Sequence, residues 1–333
     1  MIIPFLQGIV QFHKAPVTWA LIAINVLVYM NTNHDIEFQN KEMVKVLKDE
    51  KFQKTQGQIY AQFIDKYRDQ YTPFYSGLAD QALSGQSERI EVLARLALKD
   101  PNFLKQAPWM EFTGDRVAFD WWKKKLVELK KIKLENPSYV MGVTSENTGW
   151  MQWLSYQFVH SDKWHLFGNM IFLLIFGGAL ELVVGGMGLI SIYFTSGVLA
   201  ALVFVILSGL STTPLIGASG SIMGIMTFYC MLAWKRPVKF VWIIGLTKDY
   251  MGFIYLPAWF AFVMFFISDL GGYLGEVQEL GGIAYSAHLG GQLAGCVGAL
   301  VLYALRYGKT PILGRSEELK FLLWKKESFF PPQ

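Results

Sequence analysis

Six apolar segments divide this 333-residue chain. They lie near residues 17–31, 166–184, 188–209, 219–233, 256–272 and 284–306. In lipid such a segment folds as a helix, because its backbone groups must bond within the segment. Hydrophobic residues make up 53% of the sequence and charged residues only 17%, against about a quarter charged in a soluble domain. These features predict an all-α polytopic membrane protein. The first segment is interpreted as a spanning helix because no small-residue cleavage site follows it.

A long polar stretch separates the first apolar segment from the second. Within it, Trp122, Leu126, Leu129 and Ile132 lie along one predicted helical face, with lysines around that face. Two interpretations stay open: a helical subdomain that packs on itself, or an amphipathic helix at the membrane interface.

The apolar and polar segments divide the chain into four predicted domains. Residues 1–31 contain the first transmembrane helix, and residues 32–148 form an inserted extramembrane helical region. Residues 149–306 form a core with transmembrane helices 2–6, and residues 307–333 form a cytoplasmic C-terminal tail.

Basic residues at the ends of the apolar segments predict the orientation of the chain. Lys235, Arg236 and Lys239 follow the fourth segment, and a larger basic cluster follows the sixth. Because cytoplasmic loops are enriched in Lys and Arg, both termini are predicted to be cytoplasmic and the insertion to lie outside. No organelle-targeting stretch is recognisable, so we expect a multi-pass protein of the plasma (inner) membrane. The scattered net charge of +4 does not indicate a nucleic-acid partner.

The first candidate for chemistry is Ser219, in the sequence Gly-Ala-Ser-Gly that starts at Gly217. A serine between small residues at a helix start has an exposed hydroxyl with little steric cover, as a nucleophile requires. The same residues permit ordinary helix packing, since Gly220 and Gly224 form a GxxxG pair. Both interpretations stay open on this motif alone.

The second candidate is His288, in the sixth apolar segment. Ala287, Gly291 and Gly295 recur every four residues around it and give one helix face without large side chains. Two helices with such faces can approach closely, and a serine–histidine hydrogen bond of roughly 2.6–3.2 Å requires that approach. The predicted helix-packing residues are therefore Gly217, Gly220, Gly224, Ala287, Gly291 and Gly295.

His160, His165 and Asn169 form the third group, at the start of the second segment. His165 and Asn169 are four residues apart and share one helical face. Asn and His side chains can donate hydrogen bonds to the oxyanion of an acyl-transfer intermediate. A pair of hydrogen-bonded polar residues at a helix end is the simpler alternative. A metal site built from His160, His165 and His288 lacks an acidic ligand or a water-activating Glu, so neither a metal nor a cofactor is predicted.

Together the three motifs resemble those of the rhomboid family of intramembrane proteases, in the family's order on the second, fourth and sixth segments. The stretches 16–19 and 177–181 are also similar to family motifs, and the resemblance covers about residues 17–31 and 140–306. It implies a six-helix rhomboid-like bundle with a helical extramembrane insertion between helices 1 and 2.

The resemblance also implies an activity: a serine endopeptidase with a Ser–His dyad and no third acid. Ser219 would attack the peptide carbonyl and His288 would take its proton. The oxyanion hole would consist of His165, Asn169 and the Ser219 backbone N–H. His160 would support the position of these donors. The implied substrates are other transmembrane proteins, cleaved in or near their spanning helices within membrane lipid.

The chain departs from the family pattern in three places. Met151 and Gln152 follow Trp150 where many members carry Trp-Arg, and Met223 stands four residues after the serine, where an aromatic residue often packs on the histidine. The insertion lies on the side from which substrates approach in this family. A non-catalytic rhomboid-like membrane protein that binds transmembrane helices is the alternative. A transporter is disfavoured, because neither an internal repeat nor a continuous path of paired polar residues is visible.

Overall fold

The computed structural model describes residues 2–5, 14–144, 147, 149–207, 212–235, 237–243, 251–275 and 284–307. Within them the chain is mostly α-helical, as the apolar segments and the amphipathic patterns predict. The chain divides into two compact units: residues 1–29, 160–207 and 217–333 form the first, and residues 30–159 and 208–216 form the second. The predicted tail at 307–333 lies outside the described residues, except for its first residue. The predicted domain boundaries stay a prediction.

The helices and strands follow one another in this order: β1 (Ile2–Phe5), α1 (Pro16–Leu47), α2 (Glu50–Lys66), α3 (Pro73–Leu83), α4 (Ser87–Ala97), α5 (Pro101–Gln106), α6 (Arg116–Glu135), α7 (Pro137–Met141), α8 (Gln152–Ser155), α9 (Lys163–Phe172), α10 (Gly178–Leu207), α11 (Ser219–Leu232), β2 (Pro237–Ile243), β3 (Met251–Pro257), α12 (Ala258–Leu274) and α13 (Tyr285–Tyr307). A π-helical turn, Leu173–Gly177, joins α9 to α10.

The second unit has an apolar core of its own, in which α2 packs against α4 and α6. Its largest buried side chains are those of Phe52, Tyr60, Phe63, Phe103 and Trp122. Asp49, Asp100 and Asp115 precede α2, α5 and α6, and each accepts a backbone N–H from the first turn of its helix. Such caps satisfy N–H groups that have no partner inside the helix.

The apolar face of α6 packs into this core. Trp122 is fully buried, and Leu129 and Ile132 are nearly so. The Trp122 indole N–H donates to Gln56 Oε1 at 3.2 Å. Side chains buried inside the unit cannot insert between lipid headgroups. The packing therefore favours a helical subdomain that packs on itself over an interfacial helix.

The first unit holds the apolar helices. Among the residues that the structure describes, two helical stretches are long and apolar enough to cross a membrane, Lys163–Leu207 and Tyr285–Leu305, while Ser219–Leu232 and Ala258–Leu274 are apolar but shorter. The first stretch is not one straight helix, because Gly185 leaves the helical region with φ 77° and ψ 169°. Glycine tolerates this φ because it has no Cβ. The break falls between the second and third predicted apolar segments.

The start of α1 is capped from a distant part of the chain. Buried Glu181, on α10, accepts the backbone N–H of Val17 at 2.9 Å and that of Thr18 at 2.7 Å. It also accepts the Thr18 hydroxyl at 2.8 Å. The carboxylate thus satisfies N–H groups that helix geometry leaves without a partner. Two weak sequence motifs, at 16–19 and 177–181, meet through this contact.

The all-α prediction omits a small antiparallel sheet of order β1–β2–β3. Ile3 pairs with Val241, and Lys239 pairs with Tyr255. Residues 237–243 are rich in the β-branched and aromatic types that favour strands. Lys239, which the sequence assigns to a loop, is therefore part of a strand.

Candidate active site

Ser219 is the first residue of α11, a helix that packs against α10 and α13. It follows a turn in which Gly217 adopts φ 111°, a left-handed value that favours glycine. Ala218 is the N-cap residue and makes no side-chain hydrogen bond to the helix. The first N–H groups of α11, including that of Ser219, therefore receive no cap from this residue. Ser219 is partly exposed, whereas Ser221 is fully buried, so the turn leaves the Ser219 side chain accessible at the start of α11.

The side chains of His165 and Asn169 face this turn. A Cβ placed at Gly217 would lie 2.7 Å from His165 Cε1, 2.8 Å from His165 Nε2 and 3.5 Å from Asn169 Nδ2. Asn169 is only 9% exposed, and its Nδ2 has no hydrogen-bond partner among the described residues. Buried polar groups are almost always hydrogen-bonded. This donor therefore indicates a place for an acceptor supplied by a ligand.

A hydrogen-bond network at the start of α9 holds the His165 ring. Asp162 caps the helix by accepting the backbone N–H of Trp164 at 2.8 Å and that of His165 at 3.0 Å. Ser161 Oγ lies 2.8 Å from Asp162 Oδ2 and 3.2 Å from His165 Nδ1. Because Nδ1 is engaged on this side, Nε2 is the ring nitrogen that faces Gly217.

A seam of small residues joins α11 to α13. A Cβ added at Gly291 would overlap the carbonyl oxygen of Gly220, and one added at Gly295 would overlap that of Gly224. Ala287, one turn before Gly291, is buried as well. The two contacts advance by one turn along both helices, so α11 and α13 run parallel with backbone touching backbone. Their first turns, which carry the serine and the histidine of the motifs, therefore lie side by side.

The side chain of His288 is held in place by a residue of α12. Its side chain is 12% exposed, and its Nδ1 lies 2.9 Å from Asp269 Oδ1. Gln292, one turn further along α13, donates from Nε2 to Asp269 Oδ2 at 2.7 Å. His165 is near enough to His288 for charges on the two rings to interact. The first turns of α9, α11 and α13 thus meet at one site, which contains Ser219.

The remaining predicted residues lie around this site. His160 is fully buried, and its ring packs edge-on against that of His165 with centroids 5.0 Å apart. Met223 is buried, and its Sδ lies 4.0 Å from Gln292 Nε2. Gly217, which its motif groups with the helix-packing residues, lies in the turn before α11, since its left-handed backbone is not helical. Within the described part of the chain, no group of three or more His, Cys, Asp or Glu side chains could hold a metal ion.

Asp269 and Gln292 are the residues of this site that the sequence motifs do not reveal. A signal for Asp269 exists, because it is an acidic residue inside the fifth apolar segment, where ionisable groups are costly. Gln292 stands four residues after His288 and so shares its helical face. Neither residue belongs to the motifs of the family resemblance, which is why those motifs predict a dyad.

Comparison with models of known protein families gives a match in the second half of the chain. The family model described as Rhomboid domain matches residues 147–305, a little under half of the chain. The matched range contains Ser219, His288, His165 and Asn169, and also Asp269. No curated protein matches the chain.

Proposed function

We propose that this chain, whose residues 147–305 form a domain of the rhomboid family, is an intramembrane serine endopeptidase that hydrolyses peptide bonds in or near transmembrane helices. Ser219 is the nucleophile and His288 its general base. One observation carries the proposal: the unpartnered amide of Asn169, together with His165 Nε2, faces the turn that presents Ser219. A glycine motif that serves only helix packing needs no donors at the start of its helix, whereas acyl transfer does.

The reaction starts when Ser219 Oγ attacks the carbonyl carbon of the peptide bond and His288 takes the hydroxyl proton. The carbonyl oxygen becomes an oxyanion, to which Asn169, His165 and the backbone N–H of Ser219 donate hydrogen bonds. His288 then gives the proton to the leaving amine, so the C–N bond breaks and an acyl-enzyme ester remains. A water molecule deprotonated by His288 hydrolyses the ester and restores the serine hydroxyl.

The donor role of His165 depends on the hydrogen of the Ser161 hydroxyl. Ser161 Oγ lies within hydrogen-bond distance of both Asp162 Oδ2 and His165 Nδ1, but it has a single hydrogen to donate. Ser161 donates that hydrogen to Asp162 Oδ2, so His165 Nδ1 donates to Ser161 Oγ, and a neutral ring then has no hydrogen on Nε2. His165 Nε2, which faces Gly217, therefore donates to the oxyanion as the imidazolium, beside the neutral donors Asn169 Nδ2 and Ser219 N–H.

The substrate class follows from the setting of the site. The rhomboid family is one of integral membrane proteins, and this chain is one as well. A peptide carbonyl inside an intact helix is already hydrogen-bonded, so a substrate helix must unwind before it can be attacked. Glycine or proline near the cleavage point lowers the free energy of that unwinding. We therefore expect transmembrane proteins with weak helical segments as substrates, and an enzyme of the plasma membrane with both termini cytoplasmic.

The test is cleavage of single-span reporter proteins by the purified full-length chain in detergent, with the Ser219→Ala and His288→Ala variants alongside. Ser221→Ala is the matched control, because Ser221 belongs to the same helix but is fully buried. We expect wild type and Ser221→Ala to cleave, and both dyad variants to lose most of the activity. A fluorophosphonate probe should label wild type on Ser219, located by mass spectrometry.

Each failure of this test has its own meaning. A wild type that cuts no reporter and does not react with the probe supports the non-catalytic alternative, a protein that binds transmembrane helices without cutting them. Labelling of Ser219 without cleavage identifies a competent site that the reporters do not reach, and removal of most of residues 32–148 then tests whether the insertion blocks access. Full activity in Ser219→Ala contradicts the assignment of the nucleophile.

A further inference from the structure

We propose that Asp269 is a positioning residue for His288, so that the site operates as a Ser219–His288–Asp269 triad in which Gln292 holds the acid in place. This inference rests on the proposed function, and it goes beyond the dyad that the rhomboid resemblance implies. Its basis is a pair of hydrogen bonds between α12 and α13.

Asp269 uses both of its carboxylate oxygens in this contact. Oδ1 lies 2.9 Å from His288 Nδ1, and Oδ2 accepts from Gln292 Nε2 at 2.7 Å. The two partners are one helical turn apart on α13, and Asp269 is 4% exposed. A carboxylate engaged at both oxygens has a fixed plane, and it fixes the orientation of the imidazole ring in turn.

The contact also selects the tautomer of His288. An ionised carboxylate only accepts hydrogen bonds, so the ring nitrogen next to Asp269 must carry a hydrogen. Nδ1–H leaves the lone pair on Nε2, and a general base requires that lone pair. When Nε2 takes the Ser219 proton, the imidazolium charge forms beside the Asp269 carboxylate, which stabilises it. No proton moves to Asp269 in this scheme.

The competing interpretation is an ion pair that only holds α12 against α13. A buried ion pair is weak support for stability, because the loss of hydration offsets the attraction. An acidic residue inside an apolar helix is costly, and apolar side chains could make the same helix contact. The presence of Asp269 therefore calls for a role that an apolar residue cannot fill, and the orientation of a base is such a role.

Three groups from three helices surround the His288 ring. Asp269 faces it from α12, His165 lies near it on α9, and Tyr285 packs edge-on from α13 with ring centroids 6.4 Å apart. Neither His165 nor Tyr285 has a carboxylate. Among the described residues, Asp269 is thus the carboxylate that can accept from Nδ1 and stabilise the imidazolium.

The first test compares Asp269→Asn with wild type in the full-length protein. Asn keeps the shape of the side chain, but its amide can donate to Nδ1 and so favours the unproductive tautomer. We expect kcat for reporter cleavage and the rate of fluorophosphonate labelling to fall by roughly 100-fold or more, with KM little changed.

Two further variants separate positioning from folding. Glu181→Gln changes another buried carboxylate of the same unit, one that caps α1, and should lower thermal stability with a much smaller fall in kcat. Gln292→Ala frees one oxygen of Asp269 and should give a smaller fall in kcat than Asp269→Asn does. A fall in kcat for Asp269→Asn that only tracks lost thermal stability, as in Glu181→Gln, overturns the proposal.

Nitrogen NMR of protein labelled with ¹⁵N-histidine gives a readout that needs no substrate. The His288 resonances, assigned with the His288→Ala variant, should show a hydrogen on Nδ1 in wild type and a shift toward Nε2–H in Asp269→Asn. A wild type that shows Nδ1–H but neither cleaves nor reacts with the probe contradicts the protease and leaves the positioning of His288 intact. An active wild type with the same tautomer in both proteins contradicts the role of Asp269.

Discussion

The Glu181 carboxylate accepts the backbone N–H groups of Val17 and Thr18, which are 164 and 163 positions away in the chain. This contact ties the start of α1 to α10 through hydrogen bonds to one carboxylate. We expect Glu181→Ala to lower the free energy of unfolding by about 2–3 kcal/mol, because buried N–H groups lose a charged acceptor. Thr18→Val removes only the hydroxyl bond and should cost about 1 kcal/mol. Equal thermal stability of wild type and Glu181→Ala in detergent would show that the cap contributes nothing.

Gly217→Ala is expected to remove most cleavage activity while the protein stays folded. The new Cβ would lie 2.7 Å from His165 Cε1, and φ 111° is strained for alanine. Either the ring or the turn must shift, and both shifts displace the oxyanion donors from Ser219. Gly168→Ala is the matched control, because a Cβ there meets nothing within 4 Å. If the two variants cleave the reporter equally well, the donors do not act at this turn.

Asn169→Ala should lower kcat by about 10²–10³-fold and leave KM nearly unchanged. The reason is that the oxyanion exists in the transition state and not in the bound substrate. Asn25→Ala serves as the control, since Asn25 is another buried amide of this unit that donates to Leu21 O at 2.8 Å. It should reduce thermal stability without a comparable change in kcat. A raised KM with an intact kcat in Asn169→Ala would indicate substrate binding instead.

Gly291→Ala should destabilise the first unit by about 1–3 kcal/mol through overpacking. Its Cβ would overlap the Gly220 carbonyl oxygen, and backbone atoms cannot rotate away. The helices must separate, so cleavage should fall as well. Gly271→Ala, on α12, has open space around its Cβ and should leave both stability and cleavage near wild type. Thermal melts and reporter assays on the two variants check this prediction.

Asp162 should make the stability of the start of α9 depend on pH. Burial alone would raise the pKa of its carboxyl, but hydrogen bonds from the His165 backbone N–H, the Ser161 hydroxyl and the Trp164 backbone N–H outweigh burial and hold that pKa below its usual value. A depressed folded pKa stabilises the protein above the unfolded pKa, and the contribution disappears as the pH falls through the folded value.

Wild type should therefore lose stability from about pH 4 downward more steeply than Asp162→Asn does. Melting temperatures of both proteins between pH 3 and pH 7 measure the two slopes. If the melting temperatures of the two proteins fall equally steeply with decreasing pH, the Asp162 carboxyl has the same pKa in the folded and the unfolded chain.

The sequence predicts two kinds of feature: breaks between helices, and polar side chains that lie within apolar segments. Ser219, His165 and Asn169 stand out because polar side chains are costly among apolar helices. The helix break at Gly185 falls in the gap between two predicted segments. The resemblance to the rhomboid family, inferred from the three motifs, agrees with the match of the Rhomboid domain model to residues 147–305.

The features that the sequence does not predict are contacts between distant segments. The bond between Asp269 and His288 joins two helices, and no spacing along one helix gives it. The pairing of β1 with β2 likewise joins residues 2–5 to residues 239–242, which are far apart in the chain. The apolar face that contains Trp122 has the same period whether its partner is lipid or protein. Only the packing of α6 against α2 distinguishes the two.

At the Gly220–Gly291 and Gly224–Gly295 contacts, α11 and α13 meet backbone against backbone, so no change of rotamer at these two contacts can widen or narrow the seam. Side chains elsewhere in a protein interior can change rotamer, and that soft degree of freedom is missing at these two points. The spacing of the two first turns changes only when a whole helix moves as a rigid body. On the proposed function, we therefore expect Ser219 and His288 to keep their separation while substrates of different shape enter and leave, with the adaptation to those shapes in the neighbouring helices.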